Sequence, residues 1–152
     1  MAGEGEGIFD LGDALGATEA PSVQKITIYL PNKDREGNLI PDIEDWISAG
    51  MQILADINLG VTRLPWAKGI WRSEDGADDV SEDTTLLYSY LRRPETFVGR
   101  FNEIKSFLDE FGRETRQGEL MVEFFGEKID GDNAAGSNVH FRIYSIRLPE
   151  QA

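Results

Sequence analysis

The sequence contains no cysteine and a single histidine, His140, among its 152 residues. Disulfides, thiol nucleophiles, iron–sulfur clusters and cysteine-ligated zinc are therefore excluded. One imidazole cannot form a metal site alone, and no nucleophile-elbow, phosphate-loop or zinc-ligand spacing is present. We therefore expect no metal and no cofactor, and these absences favour a protein that is not an enzyme without deciding the question.

Long apolar runs are also absent, since none approaches the roughly 20 residues that cross a bilayer. The first 20 residues carry acidic residues and glycines where a secretory signal would have a basic region followed by an apolar one. These two absences predict a cytoplasmic protein that does not span a membrane.

Positive charge is scarce, because 15 basic residues face 28 acidic ones and the formal net charge is −13. Such a balance disfavours nucleic acid and anionic lipid as partners unless a local basic surface overrides it. The arginines around the second predicted helix alternate with glutamates, which indicates a solvated surface of mixed charge. A protein partner or a second copy of the chain is the expected partner.

The length and the 40% hydrophobic content are sufficient for one core, and they predict a single domain over 23–149. Residues 1–22 hold five acids and no base, which predicts a flexible acidic tail. Within this tail, apolar residues at helical spacing predict a short stripe that docks on a partner, although fraying is the alternative. The stripe residues are Ile8, Phe9, Leu11 and Leu15.

Apolar periodicity predicts the order of the elements in the domain. Alternation with period two indicates strands, and spacing of three and four residues indicates amphipathic helices. Pro94 is typical of a first helical turn, and Gly112 of a helix stop. The predicted strands are 23–30, 61–64, 69–72, 84–91, 119–125 and 139–148, the helices start near 42 and 94, and 74–83 is predicted to be an exposed loop.

This order predicts an α+β, ferredoxin-like two-layer sandwich with a mostly antiparallel sheet. Two helices should cover one face of the sheet, and the last strand should be an addition at the C-terminal end. Neither side of that last strand is cleanly polar, so part of the sheet surface around Tyr144 is predicted to contact a partner or another subunit.

Several short motifs follow one another along the chain: Trp46, Gly60 with Thr62, Gly69 with Trp71, Asp75-Gly76, and Phe111-Gly112-x-Glu114. In this succession the chain resembles a small uncharacterised bacterial family, a domain of unknown function that is predicted to be ferredoxin-like. The resemblance covers roughly 25–125 and implies a fold but no chemistry. The chain departs from that family because the members carry an export signal and lack both the acidic tail and the long last strand.

The loop between the second helix and the following strand is a candidate polar site, because functional groups often gather in such loops. It contains Glu114, Arg116 and Gln117, and we group His140 with them. The structural alternative is that these side chains cap the helix end and satisfy nearby amides. Trp66 is a separate candidate, an exposed aromatic residue at a proline turn that would anchor a protein interface.

The leading hypothesis is a non-enzymatic protein-interaction module, either a subunit of a larger assembly or a self-associating protein. One alternative is a small enzyme or ligand-binding protein of the dimeric α/β-barrel type, with a pocket lined by aromatic residues such as Tyr29, Tyr88, Tyr90 and Phe124. A second alternative is an acidic decoy that occupies a nucleic-acid-binding protein.

Overall fold

A computed structural model describes residues 9–18 and 24–126, and the backbone of 140–147. The chain forms four helices and five strands within these residues. The helices are α1 (Leu11–Leu15), α2 (Ile43–Asn58), α3 (Pro94–Gly99) and α4 (Phe101–Glu114). The strands are β1 (Lys25–Pro31), β2 (Thr62–Arg72), β3 (Asp79–Tyr90), β4 (Glu119–Gly126) and β5 (His140–Arg147).

The five strands form one antiparallel sheet with the order β2-β3-β1-β4-β5. The inner order, in which β1 lies between β3 and β4, is that of a ferredoxin-like sheet, and β5 extends it beside β4. The predicted α+β, ferredoxin-like sandwich with an extra C-terminal strand is therefore confirmed.

The helices pack on one face of the sheet because each strand sends every second side chain to that face. Ile26, Ile28 and Leu30 of β1 are buried there together with Ile47 of α2 and Phe111 of α4. The resulting core includes a group of three aromatic rings, in which the Trp46 ring centroid lies 5.5 Å from that of Phe111 and 6.2 Å from that of Phe107.

Several predicted elements differ in detail from the structure. The two short strands around Pro65 and Trp66 are one strand, β2, with a bulge between Leu64 and Ala67. The predicted helix from Pro94 is two helices that meet at Arg100, and α4 continues past Gly112 to Glu114. β3 already starts at Asp79, inside the predicted loop, because its first half pairs with the end of β2.

The predicted tail contains α1, whose residues are all outside the core. Asp10 caps the helix by accepting a hydrogen bond from the backbone N–H of Asp13, at 3.0 Å, and Gly16 ends it with a left-handed φ of 71°. Phe9 and Leu15 expose 77% and 73% of their surface, and Leu11 is also exposed.

In the part of the chain that the structure describes, no helix is long and apolar enough to cross a membrane.

Candidate functional site

The face of the sheet opposite the helices carries a groove of about 450 Å³. Side chains of β1, β2, β3 and β4 line it, and two loops, 32–39 and 115–118, form one end. Its volume lies within the roughly 300–1,000 Å³ typical of small-molecule sites. Tyr29, Trp71, Glu82, Thr84 and Met121 are among the residues that line it.

Glu82 is the most buried acidic side chain of the groove, with 9% of its surface exposed. The indole N–H of Trp71 donates a hydrogen bond to its carboxylate, and the Thr84 hydroxyl donates another at 3.3 Å. Burial raises the pKa of the Glu82 carboxyl, although these two hydrogen bonds and the nearby Lys33 charge act in the opposite direction. The groove therefore holds a fixed carboxylate with reduced access to water.

Tyr29 lies across the groove on β1 and is half-buried. Its hydroxyl donates a hydrogen bond to the carboxylate of Glu123 on β4. Burial, with the Glu123 hydrogen bond and negative charge, raises the pKa of Tyr29 to about 12. The Tyr29 phenol is therefore neutral at physiological pH, and it presents an aromatic surface to the groove together with Trp71.

The two loops at the end of the groove are fastened to each other. Arg116 pairs with Glu36 at 2.7 Å, and the Gln117 amide donates to the Lys33 carbonyl at 3.0 Å. The backbone N–H of Arg35 donates to the Arg116 carbonyl at 3.1 Å. These contacts fix the end of the groove before any ligand binds.

Of the predicted polar site, Arg116 and Gln117 lie at the groove, and Gln117 lines it. Arg116 has a left-handed φ of 57°, which turns the chain from α4 towards β4. Glu114 is the last residue of α4, and its carboxylate lies 3.6 Å from the Arg113 guanidinium. His140 begins β5 opposite Gly126, at the other end of β4 from these loops.

The predicted interface residues are dispersed in the structure. Trp66 lies in the β2 bulge with a left-handed φ of 51° and 37% exposure, and the Arg63 guanidinium lies 5.4 Å from its ring centroid. Phe9, Leu11 and Leu15 are on or beside α1, and Tyr144 pairs with Val122 in the backbone register of β5. Ile8 lies outside the described residues. Their role in partner binding stays a prediction.

Of the four aromatic residues predicted to line a pocket, the three tyrosines lie on the open face of the sheet and Phe124 does not. Tyr29 lines the groove, and Tyr88 and Tyr90 lie further along the same face of the sheet, with the Lys25 ammonium 5.2 Å from the Tyr88 ring centroid. Phe124 was wrongly placed in this pocket, because the alternation of β4 directs it towards the helices, where it packs against the core.

Glu82, Trp71 and Thr84 were not predicted as a group, because 74–83 was predicted to be a loop. The signal was the continuous alternation of Val80, Glu82, Thr84, Leu86 and Tyr88, which places these five side chains on one face of a strand. Trp71 exposes 45% of its surface and lines the groove.

Two solved structures share this fold. A phage SAM lyase in complex with S-methyl-5'-thioadenosine superposes with a TM-score of 0.57 at 16% sequence identity, covering 85% of this chain and 92% of that chain. The apo state of a phage SAM lyase gives a TM-score of 0.55 at 14% identity, covering 86% and 94% of the two chains. No protein-family model and no curated protein sequence matches the chain.

These two neighbours contradict the hypothesis of a non-enzymatic interaction module, since both are structures of a phage SAM lyase, an enzyme. The alternative, a small enzyme or ligand-binding protein, agrees with them better. At 14–16% identity the likeness itself shows the fold alone.

Proposed function

We propose that this protein binds SAM, S-adenosylmethionine, in the groove on the open face of the sheet and cleaves it to S-methyl-5'-thioadenosine. The observation that carries the proposal is the Glu82 carboxylate, which Trp71 and Thr84 hold in place between aromatic surfaces. The shared fold with a SAM lyase that is seen with S-methyl-5'-thioadenosine supports the choice of substrate.

The chemistry of a sulfonium nucleoside fits this groove. SAM carries a positive sulfur, and a buried carboxylate with neighbouring aromatic faces is a favourable environment for a cation. S-methyl-5'-thioadenosine keeps the methyl group, the sulfur and the adenosyl part of SAM. The bond that breaks is therefore the one from sulfur to the γ-carbon of the amino-acid chain, and the sulfur takes the bonding electron pair. An oxygen of SAM's own carboxylate forms the new bond to that carbon, so the second product is the five-membered lactone of homoserine and no co-reactant is needed.

Glu82 is assigned to substrate binding and orientation. The positive charge on sulfur disappears as this bond breaks, so a carboxylate attracts the sulfonium of the substrate more strongly than the neutral thioether of the product. Glu82 thereby holds the sulfur in the groove, where the rings of Tyr29 and Trp71 also line the wall.

The test is to incubate the purified protein with SAM and to follow S-methyl-5'-thioadenosine by chromatography and mass spectrometry. We expect the wild type to form this product, and Glu82→Gln to lower kcat/KM by about 10-fold or more, because a charged contact contributes roughly 1.5–3 kcal/mol. The matched control is Glu110→Gln, the same chemical change at an exposed residue of α4 on the opposite layer.

The wild type and Glu110→Gln should then have the same kcat/KM. If the wild type neither releases S-methyl-5'-thioadenosine nor is stabilised against heat by SAM, the proposed function is wrong. If Glu82→Gln retains full activity, the assignment of Glu82 is wrong.

A further inference from the structure

Acidic side chains outnumber basic ones among the described residues that line the groove. Asp34, Glu82 and Glu119 are acidic, and Arg35 is the one basic residue among the described residues that line it. Arg35 is an exposed residue of the loop at the end of the groove, and in a protein with a net charge of −13 a single guanidinium beside three acidic side chains is a distinctive feature.

Arg35 is held in place through its backbone. Its N–H donates to the Arg116 carbonyl at 3.1 Å, and its Cβ lies 3.9 Å from the position that a Cβ on Gly118 would occupy. The preceding Asp34 accepts two backbone hydrogen bonds through its carboxylate, from Glu36 at 2.8 Å and Asn38 at 2.9 Å, which fixes the turn.

The side chain of Arg35, in contrast, has no partner of its own among the described residues. Neighbouring Arg116 pairs with Glu36, and Arg72 pairs with Asp79 at 2.8 Å, whereas no described carboxylate lies within ion-pair distance of the Arg35 guanidinium. A guanidinium presents several donors in a plane, which matches the two oxygens of a carboxylate. The groove thus offers an anion site beside its carboxylates.

We infer that Arg35 binds the carboxylate of the amino-acid part of SAM and makes the groove selective for sulfonium nucleosides that retain this carboxylate. The inference rests on the proposed function and adds to it the basis of specificity. SAM carries two positive groups, the sulfonium and the ammonium, and one negative group. Three acidic side chains and one guanidinium are complementary to this pattern of charge.

The experiment compares three molecules that differ in these groups. SAM has the carboxylate, decarboxylated SAM lacks it but keeps the sulfonium and the amine, and S-methyl-5'-thioadenosine lacks all three charges. The readouts are KM and kcat for SAM, and Kd by calorimetry for the other two. The variants are Arg35→Gln, Arg35→Lys and, as a control, Lys105→Gln, which removes one positive charge from an exposed position on α4.

We expect Arg35→Gln to raise KM for SAM by about 10-fold or more, because a charge-assisted hydrogen bond is lost. Its Kd values for decarboxylated SAM and S-methyl-5'-thioadenosine should stay within about twofold of the wild type. Arg35→Lys should give an intermediate KM because it keeps the charge without the planar donors. Lys105→Gln should match the wild type in all readouts.

An unchanged KM for SAM in Arg35→Gln would overturn the inference and leave the proposed function standing. An equal loss of affinity for S-methyl-5'-thioadenosine would also overturn it, since Arg35 would then support the shape of the groove rather than recognise a carboxylate. A wild-type protein that neither binds nor cleaves SAM would overturn both.

Discussion

Glu82, the residue that we propose to bind the substrate, is buried at a cost in stability. Its carboxylate is buried on β3 in the groove, and desolvation there disfavours the ionised form. The Trp71 and Thr84 hydrogen bonds offset only part of this cost, because the pKa of Glu82 remains above its ordinary value of 4.5. The free energy of unfolding is therefore lower when Glu82 is ionised than when it is protonated.

The sign of this effect predicts how Glu82→Gln changes stability with pH. Because the folded-state pKa of Glu82 is raised, the folded protein is more stable when this carboxyl is protonated. That extra stability is present below the unfolded pKa and is lost as pH rises through the folded pKa. At pH 7 we therefore expect Glu82→Gln to have a higher Tm than the wild type, and the difference should shrink near pH 4. Calorimetric scans between these pH values measure it, and Glu110→Gln should show no such trend. A lower Tm for Glu82→Gln at pH 7 would contradict the prediction.

Tyr29 gives a second prediction at this scale, in the alkaline range. Its pKa is raised to about 12 from the ordinary 10.0, so its contribution to stability is intact below pH 10 and is lost as pH rises towards 12. Subtracting the ultraviolet titration of Tyr29→Phe from that of the wild type should give a single transition near pH 12. A midpoint near pH 10 would show that neither burial nor Glu123 perturbs this phenol.

At the scale of elements, Gly50 determines how closely α2 approaches its neighbours. A Cβ added at Gly50 would lie 3.0 Å from the Leu87 Cδ1 on β3 and 3.0 Å from the Phe107 Cζ on α4. Both atoms belong to buried side chains of the core. The absence of a side chain on α2 thus allows the helix layer to pack against the sheet that carries the groove on its other face.

We therefore expect Gly50→Val to lower the free energy of unfolding by about 1–3 kcal/mol, since overpacking of a filled core costs that much. The control is Gly99→Val in α3, where an added Cβ meets no atom within 4 Å. That variant should stay within roughly 0.5 kcal/mol of the wild type. Urea unfolding measures both, and equal effects of the two substitutions would show that helix propensity rather than packing decides at Gly50.

For the whole molecule, the dominant property is its charge. At a net charge of −13, the acidic side chains of the folded protein repel one another, and the protein as a whole attracts molecules with positive groups. The most buried carboxylate of the groove, Glu82, lies on the face of the sheet that the helices leave open. Charge and fold therefore both favour the binding of the cationic substrate that we propose for the groove.

Self-repulsion predicts that sodium chloride stabilises the protein. Raising the salt from about 0.01 M to 0.5 M shortens the Debye length from about 30 Å to less than 10 Å and screens the repulsion. We expect Tm to rise by about 2–4 °C, equivalent to roughly 1 kcal/mol for a chain of this size. Thermal scans across the salt series measure the change. A falling Tm would mean that ion pairs such as Arg63 with Glu44 outweigh the repulsion.

The sequence by itself determined the layers of this protein, because local periodicity specifies which face of each element is apolar. The α2 stripe around Ile47 and the β1 alternation around Ile28 are apparent from one short window each, and they predict a ferredoxin-like sandwich with its added strand. The absence of cysteine likewise excluded whole classes of site.

Tertiary structure alone decided the groove. Glu82, Trp71 and Tyr29 come from three different strands, and their proximity depends on the register of β3 against β2 and β1, which no local pattern encodes. The start of β3 at Asp79 was missed because Asp79 and Ser81 favour loops until the end of β2 supplies their hydrogen-bonding partners. A site made by pairing distant segments depends on non-local contacts, whereas a layer made by periodicity depends on local ones.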